Sequence, residues 1–199
     1  MFIKKGAMFG LDARIVLAIF GALSVISGAA LYSAIQESKI TAILTDIDEL
    51  AKASEQYMLD TGSYISSTTG DDNLKTVDLL ETSGLSGWAG PYISGYTKDD
   101  TYPDKLLVKN TNHYGIIRGV DTTWGSFTSA DTKCSKSSSE NCSVWIHATD
   151  FGLAYAQAIE KKIDGTVTPG TTSYDGNVRY SSAVFYVKKY VYDKTQAID

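Results

Sequence analysis

The chain has 199 residues and a formal net charge of −5, enough for one packed domain plus an anchor or tail. Its charges are scattered and not blocked, which argues against a nucleic-acid partner, because phosphate binding draws on clustered Lys and Arg. The two histidines, His113 and His147, join no nucleophile signature, and no P-loop, dinucleotide fingerprint or zinc-binding helix motif is present, so the expectation is a protein that is not an enzyme.

The chain opens on a very short basic head, Met1-Phe2-Ile3-Lys4-Lys5-Gly6-Ala7. From Ile15 to Gln36 it is uncharged, long enough to cross a hydrocarbon core of ~30 Å at ~1.5 Å per residue. Lys4 and Lys5 predict a cytoplasmic N-terminus, with the bulk of the chain outside. Three readings compete. A cleaved secretory signal would use Ser27-Gly28-Ala29 as its cut, yet Asp12 and Arg14 interrupt the approach to the apolar run. A plain anchor leaves Asp12 as an interfacial residue beside Arg14. The third reading is a precursor with a short leader.

That third reading rests on the run Lys4-Lys5-Gly6-Ala7-Met8-Phe9-Gly10-Leu11-Asp12-Ala13-Arg14-Ile15, continuing to Gly21-Ala22-Leu23, which resembles the N-terminus of type IV pilins and type II secretion pseudopilins. In that family a basic leader ends in Gly or Ala, the mature chain opens on an aromatic residue or Met, and an acidic residue stands fifth. Cutting between Ala7 and Met8 places Asp12 fifth and Gly21 nine residues beyond it; cutting after Gly6 or Gly10 breaks both registers. The resemblance implies removal of residues 1–7 by prepilin peptidase, N-methylation of Met8, and pairing of Asp12 with the freed amine of a neighbouring subunit. A carboxylate at membrane depth is costly and marks function.

Beyond Gln36 the pattern becomes one-sided. Ile40, Ile43, Leu44, Ile47, Leu50, Ala51, Tyr57 and Met58 keep the spacing of an amphipathic helix, with Glu37, Lys39, Asp46, Asp48, Glu49, Lys52 and Glu55 on the other face. No proline intervenes, and Asp60-Thr61-Gly62 supplies the stop. The prediction is one helix from about Phe9 to Leu59, roughly 75 Å long. Residues 8–36 would be its transmembrane and assembly half, and residues 37–61 its amphipathic half.

Residues 62–199 read as an α+β head. Tyr57-Met58-Leu59-Asp60-Thr61-Gly62-Ser63-Tyr64 resembles the helix-to-loop junction of major pseudopilins, and Gly87-Trp88-Ala89-Gly90-Pro91-Tyr92 resembles their Trp-x-Gly-Pro-Tyr motif. Gly90-Pro91 fixes a turn there while Trp88 and Tyr92 cover the helix. Val77-Asp78-Leu79-Leu80 reads as a short helical turn. Leu106–Lys109 and Tyr114–Ile117 read as strands joined by a polar loop at Asn110-Thr111-Asn112-His113. Cys134 and Cys142, close together in a polar span, favour a small disulfide loop over two free thiols, and so an oxidising compartment. Val144–Ala148 reads as a strand, and Asp150 to Ile163 as a helix that Asp150 caps and Asp164-Gly165 ends. Gly176–Tyr180, similar to a late strand of type II secretion and pilin-like proteins, and Ala183–Val187 complete the sheet. The fold this resemblance implies is pilin-like: a long N-terminal helix packed on an antiparallel sheet.

No cofactor is expected. Calcium would need several oxygens on one loop; Asp71-Asp72 and Asp99-Asp100 lack that spacing and read as solvated loop charges. The resemblance implies a structural subunit of a type IV pilus or pilus-like filament, with a type II secretion pseudopilin as the alternative. Its implied partners are copies of itself in a helical filament, prepilin peptidase and the assembly platform of the inner membrane. Its implied location is the bacterial inner membrane as a precursor, then an extracellular or periplasmic filament. A membrane-anchored binding module that never polymerises is the reading from a different class.

Overall fold

The computed structural model describes residues 8–68, 73–127, 134, 139–182 and 184–193. The chain divides into two compact units, Met1–Ala42 and Ile43–Asp199. Helix α1 (Met8–Thr61) begins in the first and ends in the second, within two residues of the prediction at either end. In the first unit every side chain from Asp12 to Ile35 is exposed.

In the second unit α1 supplies Ile43, Ile47, Leu50, Ala51 and Tyr57 of the predicted stripe to the core, with Leu44 and Met58 half-buried at its margins, and adds Ser54, which the stripe did not include. Each large apolar side chain so buried contributes roughly 1.5–3 kcal/mol. The helix stops where Gly62 takes φ +70° and donates its amide to the Met58 carbonyl, a left-handed cap that a side chain would disfavour.

The sheet has seven antiparallel strands: β1 (Thr97–Lys98), β2 (Leu106–Lys109), β3 (Asn112–Val120), β4 (Cys142–Thr149), β5 (Thr172–Ser173), β6 (Val178–Ser181) and β7 (Val184–Val191). Their order is β1-β2-β3-β4-β7-β6-β5. Helix α2 (Leu153–Asp164) connects β4 to the far edge, from which β6 and β7 return to close against β4. Cross-strand register lines up Tyr114, Ala148, Phe185 and Tyr180 in one row, and Ile116, Ile146, Val187 and Val178 in the next. All eight are at most 1% exposed, which makes these rows the centre of the core.

Several expectations need correction. The β2–β3 connection is a two-residue turn, Asn110-Thr111, with φ +52° and +70°, so Asn112 and His113 already belong to β3. Positive φ at both central residues matches the right-handed strand twist. Asp150 does not cap α2: the cap position is Gly152 with no side-chain bond, and Asp150 sits at φ +71° before it. The C-terminal end is as expected, with Gly165 at φ +77° donating to the Lys161 carbonyl. The helical turn at Val77 is a 3-10 turn, Thr76–Leu79. Strand β7 runs to Val191, past the predicted end, while Ala183 lies outside the described residues.

Candidate functional site

The leader residues 1–7, including Lys4, Lys5 and Ala7 of the expected cut, lie outside the described residues, and Met8 is the first residue of α1. Four residues on, Asp12 is exposed, as is Arg14. Residues two apart on a helix point in different directions, and among the described residues no ion pair joins these two. The segment that follows presents Ile15, Val16, Leu17, Ile19, Phe20, Leu23, Val25, Ile26, Leu31 and Tyr32, all more than half exposed. It is long and apolar enough to cross a membrane, and none of its most apolar window is buried. Isolated soluble surfaces rarely expose apolar area on this scale; it needs lipid or a protein partner.

In the second unit, the residues quoted for the family resemblance form a brace. The Trp88 indole donates to the Asp78 carbonyl at 2.9 Å, and the Tyr92 amide donates to the Leu79 carbonyl at 2.8 Å. The Tyr92 hydroxyl accepts the Ala89 amide at 3.0 Å, and its ring meets Tyr57 of α1 edge-on at 5.8 Å. The Gly90-Pro91 bond is cis. Tyr92 therefore meets the helix, as read from the sequence, while Trp88 is tied to the Thr76–Leu79 turn and packs edge-on against Tyr92 at 5.8 Å.

The polar links between helix and sheet were not legible in advance. Asp46, read as part of the solvent face, binds the Lys109 ammonium at 2.6 Å and accepts the Tyr114 hydroxyl at 2.9 Å. Glu49 adds a second contact to Lys109 at 3.2 Å. Burial pulls the Lys109 pKa down, but the two carboxylates outweigh it and hold the ammonium above its ordinary range. Ser54 and the Tyr190 hydroxyl are 2.7 Å apart, and burial pushes that phenol up to about 12. These contacts fix the rotation of residues 43–61 of α1 about their own axis against the sheet.

On the opposite face of the sheet Arg179 is 1% exposed. It donates to the carbonyls of Gly176, Val120, Thr122 and Asp121, and lies 4.4 Å from the ring centres of both Trp124 and Trp145. Cys134 and Cys142 are joined in a disulfide with Cα atoms 5.9 Å apart, and Cys142 stands opposite Val120 at the start of β4. The disulfide and the arginine together hold the connection that leaves β3.

Asp71 and Asp72 lie outside the described residues. Asp99, read as a solvated loop charge, is buried, and its carboxylate is occupied by the Thr101 and Tyr102 amides and by His113. Among the described residues no group of three or more His, Cys, Asp or Glu is placed to hold a metal ion. An open groove of about 540 Å³ runs beside α1, lined by Glu49, Lys52, Gln56, Tyr92, Ser94 and Lys109 among others, with charges of both signs.

Residues 30–120 match the family model of type II secretion system (T2SS) protein G, a pseudopilin. The matched span carries the end of the apolar run, the amphipathic half of α1, the Trp88–Tyr92 brace and strands β1 to β3. The match supports the pilin and pseudopilin resemblance. No curated protein and no solved structure matches the chain.

Proposed function

We propose, from the pseudopilin match over residues 30–120, that this chain is a structural subunit of a type II secretion pseudopilus or a closely related pilus-like filament. The observation that carries the reading is α1 itself. One uninterrupted helix is exposed and apolar from Ile15 to Ile35, then one-sided and buried from Ile43 to Tyr57. A simple anchor followed by a linker has no need of helical continuity between the two parts. A subunit that bundles its apolar half with others, while the other half underlies a rigid head, does.

In this reading prepilin peptidase removes residues 1–7, Met8 becomes the N-methylated terminus, and Asp12 accepts the terminal amine of the adjacent subunit inside the bundle. An amine and a carboxylate left unpaired in a medium of low dielectric constant would each cost several kcal/mol, so the pair sets the axial stagger between subunits. The apolar segment keeps the precursor in the inner membrane until the assembly platform extracts it. The work is done by assembly, with no chemical step in this chain.

Intact mass and N-terminal analysis of the membrane-extracted protein tests the reading. The expected result is a chain that starts at N-methyl-Met8. Retention of Met1 would leave an anchored, non-polymerising module as the better description. A start after Ala29 would make the protein secreted and soluble.

A further inference from the structure

The chain carries two Asp-Gly steps, Asp164-Gly165 and Asp175-Gly176, and the fold treats them in opposite ways. At the first, amide and carboxylate are both engaged elsewhere. The Gly165 amide donates to the Lys161 carbonyl at 3.1 Å. The Asp164 carboxylate accepts the Asn177 and Val178 amides at 3.0 and 2.9 Å, and the Asn177 side chain at 2.9 Å. At the second, the Gly176 amide turns back on the side chain that precedes it, 2.8 Å from Asp175 Oδ1. Both residues of that step are exposed, in the turn between β5 and β6. Gly176 takes φ +81°, and a Cβ there would stand 2.7 Å from Asp164 Oδ2, so the turn requires glycine.

An amide nitrogen held against the carboxyl group of the preceding residue is set for ring closure. Oδ1 and Cγ are bonded neighbours, so a nitrogen in contact with one is at near-attack range of the other. Rotation about the Cβ–Cγ bond then presents the face of the carbon, and glycine has no side chain to shield the nitrogen. The Gly176 nitrogen adds to Cγ of the protonated carboxyl and gives up its proton. The carboxyl hydroxyl leaves with a proton as water, and a cyclic imide closes. Water reopens the ring in one of two ways. Breaking the bond from nitrogen to Cγ restores aspartate. Breaking the bond from nitrogen to the main-chain carbonyl carbon routes the backbone through the side chain, as isoaspartate. The water lost on closure is regained on opening, so no other reactant is needed.

We propose that Asp175 is a self-modification site, converting to isoaspartate through a cyclic imide with Gly176, while the fold protects Asp164 from the same reaction. The position gives the change a consequence. On one side of Asp175 the Tyr174 carbonyl accepts the Trp124 amide at 3.0 Å, and on the other the Gly176 carbonyl accepts Arg179 Nε at 3.2 Å. Isoaspartate adds one methylene to the backbone between these two carbonyls. They then lose their common register, and the packing of Trp124 beside Arg179 loosens. The inference is independent of filament assembly.

The test ages the full-length protein in detergent micelles at neutral pH in heavy-oxygen water, and a second sample in urea. Peptides are then read by electron-transfer fragmentation, which separates isoaspartate from aspartate; each ring opening leaves one heavy oxygen. In the folded protein isoaspartate should build up at residue 175 at least about tenfold faster than at residue 164, because only one of the two amides is held against its own carboxyl. In urea the two steps should age alike. Trp emission of the folded sample should shift to the red in proportion to the modified fraction. Asp175→Glu keeps the charge but would need a larger ring, so it should stay unmodified at that position and hold its emission. No build-up at residue 175, equal build-up at both sites in the folded protein, a preference of the same size in urea, or modified protein with unchanged Trp emission would each overturn the proposal.

Discussion

Arg179 is buried more deeply than any other charged residue described, and what satisfies it is four main-chain carbonyls and two indole faces. Burial draws its pKa down to about 10, against the pull of Asp175, Asp121 and Asp164, so it stays charged at neutral pH. A planar guanidinium can donate in several directions and stack at once; an ammonium cannot. Arg179→Lys should therefore cost about 2–4 kcal/mol in urea denaturation, with red-shifted Trp fluorescence as Trp124 gains water. Asp78 is the opposite case. It is 9% exposed, and burial lifts its pKa to about 6, with Lys75 lowering it and Asp104 raising it. A group with a raised folded pKa stabilises below its unfolded pKa, and that stability is lost as pH rises through the folded value. Asp78→Asn should raise stability at pH 7 by about 1–2 kcal/mol and flatten the slope between pH 4 and 6 in thermal scans run across that range.

At the scale of elements, α2 is tied to the sheet by a carboxylate that pairs with no cation among the described residues. Glu160, 3% exposed, accepts the Thr168 amide and hydroxyl and the hydroxyls of Ser173 and Tyr180. Glu160→Gln turns two acceptor oxygens into one acceptor and one donor, so at least one of these donors meets an N–H. A loss of about 1–3 kcal/mol is expected, together with faster amide exchange confined to residues 165–172. Such links mark where sequence reading stops. Helix α1 was legible because a change of period, from apolar all round to one-sided, is a local signal. So was β2, a run of apolar residues bounded by turn formers. Strands β1 and β5 are two residues each and carry no period at all. Asp46 looked solvated on a helical wheel because its partner, Lys109, is 63 residues away. Asp150 looked like a cap because acidic residues before helices usually are; its real partner is on β3. The Gly-x-Val-Arg-Tyr run pointed to a strand, but only the fold could bring Trp124 and Trp145 together beside its arginine.

At the scale of the whole molecule, the proposed assembly would draw on other residues than those that stabilise the fold, and that separation can be measured. The core rows, the Arg179 and Glu160 networks and the disulfide all lie within Ile43–Asp199, whereas Asp12 and the exposed apolar run lie within Met1–Ala42. Asp12 is exposed, and among the described residues no ion pair involves it, so nothing in the fold requires its charge. Its carboxylate gains a role only if a second subunit brings an amine to it inside a dry bundle, where an unmatched amine costs several kcal/mol. Asp12→Ala should therefore leave the thermal unfolding of the detergent-solubilised protein within about 0.5 kcal/mol of wild type, as for an exposed position. The same variant should abolish incorporation into sheared filaments or crosslinked oligomers, while the monomer stays in the membrane fraction. Asp12→Glu keeps the charge and should retain assembly. If Asp12→Ala assembled normally, the amine–carboxylate pair would have no part in the stagger, and association would rest on the apolar surface alone.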